Sequence, residues 1–352
     1  MTNGMPPAAP PPAERDATRT VIYIPQPPRR SVVGTVFRYI GVVVILGSFL
    51  LNLLLFDLLS LKPREDGLNE RRVSGPADAD QKVAVISVAG TIAGSRDGLL
   101  DEGNLSYVLR QLKRAREDEK VVGVVLEVDS PGGTITASDE IMNAVQQVKK
   151  TGKKVVAWMG GLATSGGYYV SCKADSIIAA PTTITGSIGV VAVLGNLEGL
   201  AEKIGVRVVV FKSGPYKDIG SPFREMTDVE KEKMQGLIND AFGRFKQVVS
   251  DGRGLTIQQV DKLADGSVFT AQEAWDLKLI DRIGYLDDAV EEAQGTHKDC
   301  MVVRYSQTTG LLGVLIGRTT VPRDVHVHLD TPLSKLTPGL HYLWLPGASF
   351  KD

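Results

Sequence analysis

The run Val121-Val-Gly-Val-Val-Leu-Glu-Val-Asp-Ser-Pro-Gly-Gly133 constrains the fold more than any other stretch of the chain. It is almost wholly aliphatic and β-branched, so it predicts a strand covered on both faces, as in α/β proteins. The Ser-Pro-Gly-Gly turn ends the strand, and a helix is expected from about Ala137 to Lys150. Backbone donors at Gly132 and Gly133 would then lie at the strand's carboxyl end beside a helix N-terminus, where an oxyanion can be stabilised. A β–α turn that merely needs glycine explains the pair equally well when it is taken alone.

A second segment narrows the choice. Gly161-Leu-Ala-Thr-Ser-Gly-Gly-Tyr-Tyr-Val170 places Ser165 among small residues and glycines just after the apolar run Val155 to Trp158. That pattern exposes a nucleophile at a strand-to-helix turn, with backbone N–H groups free to approach a reacting carbonyl. The serine needs a base, and the four histidines, His297, His326, His328 and His341, all fall in the last fifth of the chain. Lysine is the substitute. With an ordinary pKa near 10.4 it is neutral in only about one molecule in 2,500 at pH 7, so it must be desolvated to act. Lys217 follows the strand-like run Val206 to Phe211 and a Ser-Gly-Pro turn; Lys212 and Lys173 compete with it.

These segments resemble the signal peptide peptidase A family of membrane-anchored Ser-Lys peptidases over roughly Lys82 to Ala293. The carrying motifs are Asp129-Ser-Pro-Gly-Gly133, Ala163-Thr-Ser-Gly-Gly-Tyr-Tyr169, Thr185-Gly-Ser-Ile-Gly189, Ser213-Gly-Pro-Tyr-Lys-Asp218 and Ser221-Pro-Phe-Arg-Glu-Met-Thr227. The resemblance implies an α/β, crotonase/ClpP-like fold of repeated β-β-α units preceded by one transmembrane helix. It implies Ser165 as nucleophile, Lys217 as general base, Ser187 as the hydroxyl that orients the lysine, and the N–H of Gly133 as an oxyanion donor. The N–H of Gly166, next to the nucleophile, is the expected second donor. Thr164 stands where the family usually has alanine or serine. No cofactor or metal is implied, and the substrates are hydrophobic peptides such as released signal peptides. Relatives with two tandem copies take nucleophile and lysine from different halves, so a single-copy chain is expected to form a closed homo-oligomeric ring, dome-shaped and octameric. The competing class is a crotonase-like acyl-CoA enzyme, or an inactive scaffold, which needs neither the Ser165–Lys217 pair nor a membrane anchor.

The anchor is legible by itself. Tyr39 to Phe56 is an uncharged, mostly aliphatic run of 18 residues between Arg38 and Asp57, and the leucines up to Leu61 lengthen it. That is sufficient for a membrane span and too long for the apolar core of a cleaved signal. Lipid contact through residues 38–61 is therefore expected. Arginines precede the span and basic residues follow it, so charge does not orient it; the resemblance implies a cytoplasmic N-terminus and an extracytoplasmic catalytic domain. Residues 1–30 hold 8 of the 18 prolines, which predicts a disordered tail over 1–37. A linker over 62–81, a peptidase domain over 82–294 and a C-terminal extension over 295–352 complete the expected organisation.

The remaining features set bounds. A net charge of −1 gives no reason to expect nucleic-acid binding. Cys172 and Cys300 are too few for a disulfide framework, and Cys172 is expected as a small buried residue on the helix after Ser165. Thr227 to Phe245 predicts an amphipathic helix opened by a Thr227/Glu230 capping box, its apolar stripe facing a core or a subunit interface. Thr270/Glu273 predicts a second cap after a short strand. His326 and His328 alternate as two metal ligands would, but no third ligand stands nearby. The apolar end Leu340 to Phe350 has three possible resting places: the bilayer surface, the domain and the peptide groove.

Overall fold

A computed structural model describes residues 32–60, 67–94, 104–297, 299–307 and 341–343. The chain divides into two compact units, Met1–Lys62 and Pro63–Asp352. The first contains helix α1, Val32–Ser60, within which Val36–Phe56 has a mean hydropathy of 2.4 over 21 residues and is long and apolar enough to cross a membrane. Its polar Asn52 Nδ2 donates to Ser48 O at 2.8 Å, one turn back, which satisfies the amide inside the helix. The proline-rich tail and the pair His326/His328 lie outside the described residues.

The second unit is a mixed α/β sheet flanked by helices. In chain order its elements are β1 (Leu68–Ser74), β2 (Lys82–Ala89), α2 (Asn104–Glu117), β3 (Val121–Ser130), β4 (Gly132–Thr134), α3 (Ile135–Lys149), β5 (Lys154–Thr164), α4 (Gly166–Ser171), β6 (Ser176–Ala179), β7 (Ile184–Gly186), α5 (Glu198–Lys203), α6 (Asp228–Arg253), α7 (Ile257–Asp261), β8 (Val268–Thr270), α8 (Ala271–Asp276), β9 (Arg282–Ile283), α9 (Leu286–Gln294), β10 (Met301–Gln307) and β11 (His341–Leu343). The main sheet runs β1-β10-β2-β3-β5-β6-β9, parallel from β10 to β9, with β7 beside the far end of β5 and β8 antiparallel to β7.

The two-faced burial expected for Val121 to Val128 is what the sheet contains. Val124, Leu126 and Val128 pack with Ile86, Val88, Ile141 and Tyr168 on one face. Val125 packs with Val83, Val85, Ala289 and Ala293 on the other, under α9. Each fully buried aliphatic side chain of this kind contributes roughly 1.5–3 kcal/mol relative to exposure.

The sheet reaches beyond residues 82–294 at both ends. β10, in the expected extension, pairs parallel with β2, and β1, in the expected linker, pairs antiparallel with β10. β1 reads Leu-Asn-Glu-Arg-Arg-Val-Ser, and its charge suits an edge strand that must not recruit further chains. The strand expected at Val206–Phe211 is not formed. Those residues carry no regular structure, and Val206, Val208, Val209, Val210 and Phe211 are exposed, Phe211 to 95%. β-Branched composition favours an extended chain, but a strand also needs a neighbouring edge, and none of the described strands pairs with this segment. Helix α6 has its expected cap and runs on to Arg253. Phe245, Val248 and Val249 near its end are buried, whereas Val229 and Leu237 in its first half are exposed.

Candidate active site

Ser165 sits between β5 and α4, with φ 52° and ψ −112°. Positive φ is disfavoured for a residue bearing Cβ, and surrounding structure must hold it there. Two backbone bonds do so: Ser165 N–H donates to Gly186 O at 2.8 Å, and Tyr169 N–H donates to Ser165 O at 2.8 Å. Downstream, Tyr169 Oη donates to Asp139 Oδ1 at 2.6 Å, and Arg244 of α6 donates to the same oxygen, tying α3, α4 and α6 together. Cys172 lies buried at the end of α4 as expected, and burial pushes its thiol up to about 12.

The Ser-Pro-Gly-Gly turn lies against this serine. Ser130 Oγ donates to Gly90 O at 2.6 Å and accepts from Gly132 N–H at 3.0 Å, which folds the end of β3 into β4. Gly133 and Gly166 are glycines of necessity. A Cβ on Gly133 would stand 1.8 Å from Ile92 O, and one on Gly166 would stand 3.0 Å from Gly133 N and 2.6 Å from Ser138 Oγ. The two backbone segments therefore approach each other closely beside the serine, an arrangement that only glycines permit.

Ser187 also has positive φ, 50°, after Gly186, and its N–H donates to Ser267 O at 2.7 Å. Ser165 and Ser187 line one cavity of about 380 Å³, with Ile188, Gln235, Ile238 and Phe242 among its walls. The structure thus brings Ser165, Ser187, Gly133 and Gly166 into one region. It does not bring Lys217 there. Lys217 is exposed, lies in the turn after Gly214 and is not among the residues lining the cavity. The rival lysines have carboxylate partners: Lys212 Nζ meets Asp218 at 2.7 Å, and Lys173 Nζ meets Asp251 at 3.2 Å.

Sequence reasoning missed the clamp around Lys217. Arg224 reaches Asp218 with Nε at 3.0 Å and Nη2 at 2.9 Å, and it reaches Glu230 with Nη1 at 2.8 Å. Glu230 also accepts from Thr227 N–H at 2.9 Å in the capping box of α6. The residue after Lys217 is thereby fastened to the start of a long helix. The Arg224 guanidinium and Lys212 hold the Asp218 carboxyl well below the usual carboxylate range, and Arg224 with the Thr227 backbone N–H draws Glu230 down to about 2. The Ser221–Thr227 motif contains Arg224, but nothing in its spacing tells which carboxylates it meets.

Residues 147–300 match Peptidase family S49, and residues 98–183 match Clp protease. A Synechocystis sp. protein provisionally named a protease is 43% identical over 209 residues, which cover 59% of this chain and 72% of that one. An Enterococcus faecium protein provisionally named signal peptide peptidase SppA is 37% identical over 245 residues, 68% of this chain and 71% of its own. Protease 4 of Salmonella typhi is 39% identical over 220 residues, 62% of this chain but 35% of that longer protein.

Proposed function

The chain belongs to peptidase family S49, and on that premise we propose that it is a membrane-anchored serine endopeptidase whose Ser165 acts with Lys217 of a neighbouring copy. Family membership favours this reading over an acyl-CoA enzyme. In the proposed reaction, neutral Lys217 Nζ takes the proton of Ser165 Oγ as the oxygen attacks the scissile carbonyl. The N–H groups of Gly133 and Gly166 receive the oxyanion, each worth roughly 10²–10³ in rate. Collapse transfers the lysine's proton to the leaving amine, and water then enters by the reverse steps to release the acyl group. Ser187 orients the lysine from the cavity wall.

The observation that carries this reading is that Ser165 and Ser187 line one cavity while the backbones of Gly133 and Gly166 come together beside Ser165. The second catalytic group is expected from a second copy, because Lys217 is exposed and lies outside that wall. The uncovered Val206–Phe211 segment and the first half of α6 offer apolar surface to such a neighbour. The assembly proposed is a closed ring of eight. Helix α1 would hold the ring at the membrane, catalytic domain outward, and hydrophobic signal-peptide-like segments would be the substrates. Treatment of the purified protein with a fluorophosphonate tests the reading. A single adduct on Ser165, absent from Ser165→Ala, is expected; an adduct that survives the substitution would remove Ser165 from its role.

A further inference from the structure

The turn that carries Lys217 is held on both sides of the lysine by one helix. Before it, Lys233 of α6 sets its ammonium over the Tyr216 ring, 4.7 Å from the centroid. After it, Arg224 takes the Asp218 carboxylate with Nε and Nη2 and donates from Nη2 to Asp218 O at 3.3 Å, while Nη1 is fixed on Glu230 in the first turn of α6. Lys212 Nζ closes the turn from within, on Pro215 O at 3.1 Å and on Asp218 Oδ1 at 2.7 Å. Further along the same helix, Gln235, Ile238, Asn239 and Phe242 wall the cavity that Ser165 lines. Glu230 and Ile238 are separated by about 12 Å of helix rise, so α6 is a stiff spacer between a chain's own serine cavity and its lysine turn.

We infer that Arg224 is a positioning residue of the reaction: by joining Asp218 to Glu230 it fixes the Lys217 turn on α6 at the place from which Nζ reaches Ser165 of a neighbouring copy. The inference rests on the peptidase reading with its shared site and deepens it. Proton transfer needs the two heavy atoms within hydrogen-bond reach, about 2.6–3.2 Å. Nζ stands at the end of a flexible four-carbon stem, so a fixed backbone is what brings it to that distance repeatedly. A planar guanidinium spans two carboxylates at set angles, which the point charge of a lysine does not. Arg224 is not among the residues lining the cavity, so its loss is expected to fall on kcat and to leave substrate binding in place.

The test uses full-length Arg224→Gln and Asp218→Asn. The second leaves Arg224 on Glu230 and the α6 cap intact and cuts only the link to the lysine turn, so it carries the test if the first does not assemble. With a short apolar fluorogenic peptide, each is expected to lose about 10²-fold in kcat, the cost of a misplacement of about 1 Å, with KM within about twofold of the wild type. Arg224→Lys, which keeps the charge without the fork, is expected to be equally slow. Complementation separates positioning of the lysine from general damage. Mixed under subunit exchange with Ser165→Ala, each variant regains turnover, because its intact Ser165 then meets a properly held Lys217; mixed with Lys217→Ala, it does not. Wild-type kcat in any of the three variants, or rescue by Lys217→Ala, would overturn this inference alone. Ser165→Ala and Lys217→Ala that exchange subunits and fail to restore each other would remove the shared site and the inference with it. A wild-type Ser165 that takes no fluorophosphonate would remove the peptidase reading as well.

Discussion

The backbone of Ser165 stores strain that glycine would not feel. Holding a residue with Cβ at φ 52° costs on the order of 1–3 kcal/mol. Ser165→Ala and Ser165→Gly are both expected to lose turnover, but Ser165→Gly should unfold at higher denaturant concentration than Ser165→Ala, by about 1 kcal/mol; equal stability would mean that the strain is relaxed. The neighbouring Thr164 is fully buried, and its Oγ1 has no hydrogen-bond partner among the described residues. An orphaned hydroxyl costs about 1–3 kcal/mol, so Thr164→Val should preserve activity and raise stability, measured in the same titration. Destabilisation would show that the hydroxyl is satisfied in solution. At this scale the sequence was informative where the candidate residues sit in a contiguous motif. Ser165, Gly133 and Gly166 stand out because glycine is rarely tolerated without a backbone reason. Arg224 does not stand out, because its meaning depends on Asp218 and Glu230, which only the folded chain brings to it.

Helix α6 and the turn before it form one mechanical element through the Asp218–Arg224–Glu230 bridge. Because Glu230 is drawn down to about 2 in the folded chain, its contribution is fully present above its unfolded pKa of roughly 4.3 and is lost as pH falls towards 2. The denaturation midpoint of Glu230→Gln should therefore lie below that of the wild type at pH 7, and the gap should close between about pH 4.5 and 2; a gap that does not depend on pH would assign the loss to packing instead. Strands covered on both faces, such as β3, and capped helices, such as α6 and α8, were legible because burial and capping leave local patterns. β1 was not, since a charged edge strand looks like a linker. Val206–Phe211 was read as a strand from composition, which records what the segment could pair with and not whether a partner is present.

For the whole molecule, the described chain brings Ser165 and Ser187 to one cavity but leaves Lys217 outside its lining. A neighbouring copy that supplies Lys217 would explain three otherwise separate observations: the exposed lysine, the uncovered Val206–Phe211 segment and the exposed apolar residues in the first half of α6. It would also bury that lysine against apolar surface, which a neutral base requires. The sequence indicated this arrangement only through resemblance to tandem relatives, because no pattern within one chain states which copy its partner residue will meet. The most direct test mixes two full-length inactive variants, Ser165→Ala and Lys217→Ala, under conditions in which subunit exchange is shown by labelled protomers. Each alone should be without peptidase activity. In the mixture, turnover is predicted to return, because some sites then combine an intact Ser165 from one copy with an intact Lys217 from another. A mixture that exchanges subunits and stays inactive would contradict the shared site and return both groups to a single chain.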